Sequence, residues 1–178
     1  MIICTQNFMP IKRTRHFFCA AALLICLWLG ADTPPACADA TAEARQAIQF
    51  AHRQIDVALE RKNFPSVTAA CTPDFVSIND EGKRFTVAQV QSGLNHDLAR
   101  AQSIQSTTII QTTTLTPGGA TVTLLQHLRI LTRYKVVFFG RLAHTTLDQT
   151  RREEWIKTGG AWRLKQSHTL LNNSHTSL

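Results

Sequence analysis

The chain reads as an α+β protein, with helices first and a meander of long strands after them. Before Ala101, apolar residues recur at helical spacing in three segments. After it, four long stretches rich in threonine and β-branched residues alternate with glycine-bearing turns. The order is the third observation. Helices followed by consecutive hairpins give an antiparallel sheet, whereas a doubly wound parallel sheet needs helices between its strands.

Residues 1–38 stand apart from this domain. Lys12, Arg13 and Arg15 precede the apolar run "FFCAAALLICLWLGA", and "ADTPPACADA" follows. A positive segment, an apolar one, then small residues at alternating positions form the layout of a secretory signal peptide. The run is short for a membrane span, which needs about 20 residues. Cleavage is expected after Ala38 or Ala40. It would leave a single exported domain, periplasmic or extracellular, with no membrane attachment. Cys37 follows "PPA" and Cys26 follows a bulky isoleucine, so neither fits a lipoprotein anchor.

Within the mature chain, Ala44, Ala47, Ile48, Ala51, Ile55, Ala58 and Leu59 mark one face of a long helix ending near Lys62. Glu43, Arg45, Gln49, Arg53 and Asp56 fill its other faces. Asn63 is placed to cap a short helix, "FPSVTAAC", with Pro65 tolerated in its first turn. Thr72-Pro73-Asp74 stops that helix, and "DFVSIND" is a brief strand entering a turn at 80–82. Thr86 and Gln89 form a capping-box pattern, and Val87, Val90, Leu94 and Leu98 give the third helix its apolar face.

The four long strands lie in "SIQSTTIIQTTTLT", "ATVTLLQHLRILTRYKVVFF", "LAHTTLDQTRREEWIK" and "AWRLKQSHTLL". Their turns are Pro117-Gly118-Gly119 and Thr158-Gly159-Gly160, and Gly140 permits a bend or bulge. The β-prone "KVVFF" at 135–139 is expected inside the sheet or a dimer interface. The polar tail "NNSHTSL" reads as frayed.

Composition narrows the classes. Four of the five cysteines lie within 1–38, so Cys71 has no internal partner and is either a site for pairing between chains or, the reading preferred because it ends the apolar pattern of the second helix, a small buried residue. Loss of the leader takes the net charge from +7 to +5, 16 basic against 11 acidic residues. That charge is spread out, with no basic stripe interleaved with aromatics, which excludes a nucleic-acid surface.

The helix ending "ALERKNF", the segment "PDFVSINDEG", the helix from Thr86 and the closing "REEWIKTGGAWRLKQSH" appear in that order. Over residues 42–171 this order resembles the nuclear transport factor 2-like superfamily, in its bacterial ketosteroid-isomerase-like and SnoaL-like branch. The resemblance implies N-terminal helices packed in the concave face of a curved sheet, a cone with a cavity at its open end. It also implies homodimers formed through the outer sheet face. The isomerase chemistry does not carry over residue by residue. It needs a carboxylate base with a tyrosine and a protonated carboxylic acid, and the chain has one tyrosine, Tyr134, in a basic "TRYK" setting.

No histidine pair sits at metal-ligand spacing on one helix, and no Gly-x-Ser-x-Gly elbow is present, so neither a metal, a cofactor nor a nucleophile is expected. Alternation on the last strand puts Trp162, Leu164, Gln166, His168 and Leu170 on one face, read as the inward one. His168 is then the first candidate acid–base group, with Asp74 as its partner. Phe75, Tyr134, Trp155, Trp162, Gln166 and His168 are the expected lining of a cavity for a small apolar molecule. Trp155 and Trp162 read first as a packed pair across the hairpin. His127 and Arg129 are assigned to the outer face, and Glu153 and Glu154, next to Arg151 and Arg152 in sequence, to cross-strand ion pairs. Three functions follow: a binding protein, an isomerase, dehydratase or hydrolase using His168, or a dimerisation module whose cavity is filled.

Overall fold

The first helix lies where the sequence puts it, begins earlier and stops at a defined turn. The computed structural model describes residues 35–136 and 139–177, and in it α1 spans Pro35–Glu60. Asn63 N–H reaches the Ala58 carbonyl at 2.8 Å, and Lys62 N–H reaches that of Leu59 at 3.0 Å. This is a Schellman turn, and Lys62 takes the left-handed conformation it requires, φ 56°.

α2 is only Phe64–Thr68. Asn63 occupies its N-cap but uses its carbonyl, which receives Ser66 N–H at 3.0 Å; its side chain makes no cap bond. The helix is shorter than expected because the chain is claimed by the last strand. The Ala70 carbonyl accepts Leu164 N–H at 2.9 Å, and Cys71 pairs with Leu164. Cys71 therefore opens β1, Cys71–Ile78, and does not end a helix. Pro73, which has no N–H to donate, falls in the irregular stretch between the Cys71 and Val76 pairings.

β2 (Arg84–Thr86) leads into α3 (Val87–Leu98), and β3 (Ala101–Thr116), β4 (Gly119–Val136), β5 (Phe139–Thr158) and β6 (Ala161–Ser177) follow. The capping box is formed at α3: Thr86 Oγ1 accepts Gln89 N–H at 3.4 Å, and Gln89 Oε1 accepts Thr86 N–H at 2.9 Å. The six strands make one curved, unclosed sheet in the order β2-β1-β6-β5-β4-β3. Its ladders are antiparallel except that of β1 with β6, which is parallel and makes the sheet mixed. The tail is not frayed. β6 stays paired with β5 as far as His144 and Ser177, because a backbone ladder does not require apolar side chains.

Turn chemistry matches the sequence at β5–β6, where Gly159 and Gly160 both take positive φ, 59° and 81°. At Gly119 the reason for glycine is space, since a Cβ there would collide with the Trp155 carbonyl oxygen. The "KVVFF" run straddles the end of β4 and the start of β5. Val137 and Phe138, like residues 1–34, lie outside the described residues. None of the described helices is long and apolar enough to cross a membrane.

Polar side chains of α1 and of the turn that ends it dock the helix against edge strand β3. Arg45 donates to the Ile110 carbonyl at 2.8 Å, Gln49 to that of Thr108 at 3.2 Å, and Lys62 to that of Ala101. Glu60 accepts Ser106 N–H at 3.2 Å, and Asp56 accepts Thr108 N–H at 3.0 Å. Backbone groups that would otherwise template another chain are thereby occupied. Asp56 is buried by this contact, and not on a solvent face as its place in the helix pattern suggested.

The core forms two clusters. One gathers Ile48, Phe75, Val122, Leu124, Trp155 and Leu164; the other gathers Leu59, Phe64, Leu98, Ile104 and Leu128. Members of both line the cavity between them.

Candidate functional site

Two bulges in β6 decide what faces that cavity. Trp155 pairs with Leu164 but Glu154 with Gln166, so Lys165 is an extra residue; likewise Arg151 pairs with Thr169 but Thr150 with Leu171, leaving Leu170 over. One extra residue flips alternation to the other face of the sheet. Trp162 and Leu164 keep the inward side expected for them. Beyond Lys165, Ser167 turns inward, 1 % exposed, opposite Glu153. Gln166 and His168 turn outward, opposite Glu154 and Arg152.

The cavity measures about 370 Å³, within the range of small-molecule sites. Its walls are aliphatic, from Ile55 and Leu59 of α1, Leu94 of α3, Leu128 and Ile130 of β4 and Leu147 of β5. One end is polar: His52, Cys71, Gln126, Arg151 and Glu153 meet there. Asp97, which is exposed, belongs to its rim.

His52 and Glu153 are the centre of the polar end. His52 lies on the apolar stripe of α1, four residues after Ile48, and only 3 % of it is exposed. Its Nε2 sits 2.9 Å from Glu153 Oε2. Trp155 Nε1 donates to the same oxygen at 2.9 Å, and its ring meets the imidazole edge to face, centroids 5.4 Å apart. Burial pushes the Glu153 carboxyl up. The adjacent His52, its hydrogen bond, Arg151 and the indole N–H more than offset this and hold it below the ordinary glutamate value. Glu153 is therefore a carboxylate. A carboxylate only accepts, so Nε2 donates to it and Nδ1 is the nitrogen outside this bond. This is the arrangement of a general base oriented by a carboxylate.

Arg151 braces the other side. Its Nε and one terminal nitrogen donate to Ser167 Oγ at 3.0 and 2.6 Å, and the other terminal nitrogen to Gln126 Oε1 at 3.0 Å. It lies 3.6 Å from Glu153 Oε1, an ion-pair distance outside hydrogen-bond reach, so that buried oxygen has no hydrogen-bond partner among the described residues. The cross-strand ion pairs expected for Glu153 and Glu154 are thus replaced, at Glu153, by a buried pair with a helix residue.

Cys71 lines the same end. Burial, and then the Glu153 charge, push its thiol up to about 11, partly offset by Arg151. At pH 8 its alkylation by iodoacetamide, followed by mass spectrometry, is expected to run on the order of a hundred-fold slower than that of a free peptide thiol. The rate should climb about tenfold per pH unit toward pH 11. A plateau near pH 9 would contradict this environment.

Of the residues expected to line the cavity, Phe75 does so. Trp155 lies behind it as a support for Glu153, and Trp162 packs against the first core cluster. Asp74 is exposed on β1 and is not brought to His168. The side chain of Tyr134 lies outside the described residues. His127 and Arg129 occupy the outer face as expected, with His127 Nδ1 2.6 Å from Asp148 Oδ1. Among the described residues no group of three or more His, Cys, Asp or Glu could hold a metal.

No family model matches the chain, and no curated protein matches it. Solved structures do. A proposed scytalone dehydratase from Novosphingobium aromaticivorans superposes with a TM-score of 0.65 at 12% identity, over 79% of this chain and 90% of that one. A proposed dehydratase of the NTF2-like family from Streptomyces avermitilis gives 0.54 at 16% identity, over 72% and 96%. A hexachlorocyclohexane dehydrochlorinase gives 0.57 at 10% identity, over 77% and 90%. The chain has the nuclear transport factor 2-like fold. Identities this low establish the fold and no activity.

Proposed function

We propose that the cavity binds a small, largely apolar molecule and that His52, oriented by Glu153, exchanges a proton with it. The observation that carries this reading is the buried His52–Glu153 pair, 2.9 Å apart, at the polar end of an otherwise largely apolar cavity. A cavity of about 370 Å³ weighs against the filled dimerisation module. The names of two neighbours, dehydratase and dehydrochlorinase, denote eliminations, reactions in which a proton is moved. An isomerase or lyase is the activity class this supports, with His52 in the role the sequence assigned to His168.

The test uses whatever molecule copurifies, identified by native mass spectrometry, with solvent-deuterium incorporation as the readout. His52→Gln is expected to keep binding within severalfold and to slow exchange by about 10²–10⁴-fold, the range of general-base contributions. Equal exchange in both proteins would refute the role of His52.

Export and pairing of two copies belong to the same proposal. The leader pattern supports export, and among the described residues the core begins at Ala44, beyond both expected cleavage sites. Ile109 and Leu142, exposed on the outer sheet face, support pairing. An exported protein retaining Met1 by mass spectrometry would overturn the first, and a monomer by light scattering the second.

A further inference from the structure

Arg151 holds donors that its partners do not use. A guanidinium carries five N–H groups, and three are engaged by Ser167 and Gln126. Two are left without a hydrogen-bond partner among the described residues, one on each terminal nitrogen, one of which also lies 3.6 Å from Glu153. The group cannot swing away, because both partners are themselves fixed: Ser167 is 1 % exposed, and Gln126 donates to buried Ser106 Oγ at 3.4 Å. Its side chain is 22 % exposed and lines the cavity. It shares the Glu153 carboxylate with His52, one at each oxygen, so both act on one end of a bound molecule.

We infer that Arg151 is the oxygen-holding group of the cavity and that the molecule bound is neutral, with an apolar body and a carbonyl oxygen at one end. This rests on the reading of the cavity as a binding site for a small apolar molecule. Arginine only donates, so the ligand atom it meets is an acceptor. A ligand carboxylate would bring a second negative charge beside buried, ionised Glu153 and compete with it for the same guanidinium. The other charged side chains of the lining point the same way: one guanidinium, Arg151, faces two carboxyl groups, Glu153 and, at the rim, Asp97. A carbonyl supplies the acceptor without the charge, and it acidifies the adjacent C–H that His52 would meet.

Three naphthalene probes of similar shape separate the possibilities: 2-ethylnaphthalene, 2-acetonaphthone and 2-naphthoate, their affinities measured by tryptophan fluorescence on the mature protein. The ketone is expected to bind about tenfold or more tighter than the hydrocarbon, the gain of a hydrogen bond from a charged donor. Naphthoate should bind no tighter than the hydrocarbon. Arg151→Lys keeps a charge beside Glu153 but loses the fork. It should erase the ketone's advantage and leave the hydrocarbon within about twofold, as uniform apolar contacts are untouched. Infrared spectroscopy of carbonyl-¹³C acetonaphthone bound to the unaltered protein gives a second reading that needs no variant. Its C=O stretch should fall below the value in water. Hydrocarbon binding without a ketone preference, a preference that survives in Arg151→Lys, tightest binding of naphthoate, or an unshifted stretch each overturns the role of Arg151 while the cavity reading stands. Failure of all three probes to bind overturns both.

Discussion

Glu153→Ala is expected to lower the unfolding free energy by about 3–5 kcal/mol, the penalty for removing one partner of a buried charged network. Three neighbours are left stranded at once: the indole N–H, the His52 ring and a guanidinium 3.6 Å away. Chemical denaturation measures the loss, and it corresponds to a fall in Tm on the order of 10 °C. A loss under about 1 kcal/mol would mean that the pair is not formed as described. Glu153→Gln keeps the shape and one acceptor oxygen, and is expected to cost less, about 1–3 kcal/mol.

The two variants also separate charge from shape through pH. The folded-state pKa of Glu153 is depressed. Its charge therefore contributes stability that is fully present above the ordinary value of about 4.5 and is lost as pH falls through the lower folded value. The stability difference between the unaltered protein and Glu153→Gln should shrink as pH falls below about 4.5. A difference that instead grows toward low pH would contradict the sign of the shift.

This pair was legible in the sequence in part, and the reason it was missed is physical. His52 sits within the apolar stripe Ile48, Ile55, Leu59 at helical spacing. On β5, Arg151 and Glu153 alternate in phase with Trp155, and the burial of Trp155 carries both inward. Read as a charge run, "RREE" goes to solvent, because charged residues are seldom buried unless paired. The partner that permits burial lies 101 positions away, on a helix. Parity alone would have raised the question, and only the docking of α1 answers it. His168 failed for the opposite reason. Its alternation with Trp162 and Leu164 is unbroken in the sequence, and nothing in "RLKQSH" announces the extra residue at Lys165. A bulge is set by where the neighbouring strand must aim its side chains, here Glu153 against Ser167, and so it belongs to the sheet and not to the strand. The helix stops, the capping box and the Gly-Gly turn were readable because each is decided within a few residues. The parallel β1–β6 ladder, a contact across most of the domain, was not.

Trp155→Ala is expected to lower the unfolding free energy by about 3–5 kcal/mol, as for other large-to-small changes at a fully buried aromatic. Trp155 is 1 % exposed, packed in the first core cluster and edge-on to His52. Packing and hydrogen bonding contribute together here, and Trp155→Phe divides them. Phenylalanine retains most of the apolar contact but has no N–H, so Glu153 Oε2 keeps only His52 and Oε1 only its ion pair with Arg151. That change is expected to cost about 1–3 kcal/mol, the worth of a hydrogen bond to a charged group. Combining it with Glu153→Gln tests whether the two side chains act as a unit. Residues sharing one network couple by about 0.5–3 kcal/mol, so the double variant should be less damaged than the two single losses added. Strict additivity would mean that the indole supports the fold but not the carboxylate. Coupling would mean that the tryptophan of the closing hairpin acts on the cavity through Glu153, holding the charge that orients His52, and has no need to touch the bound molecule.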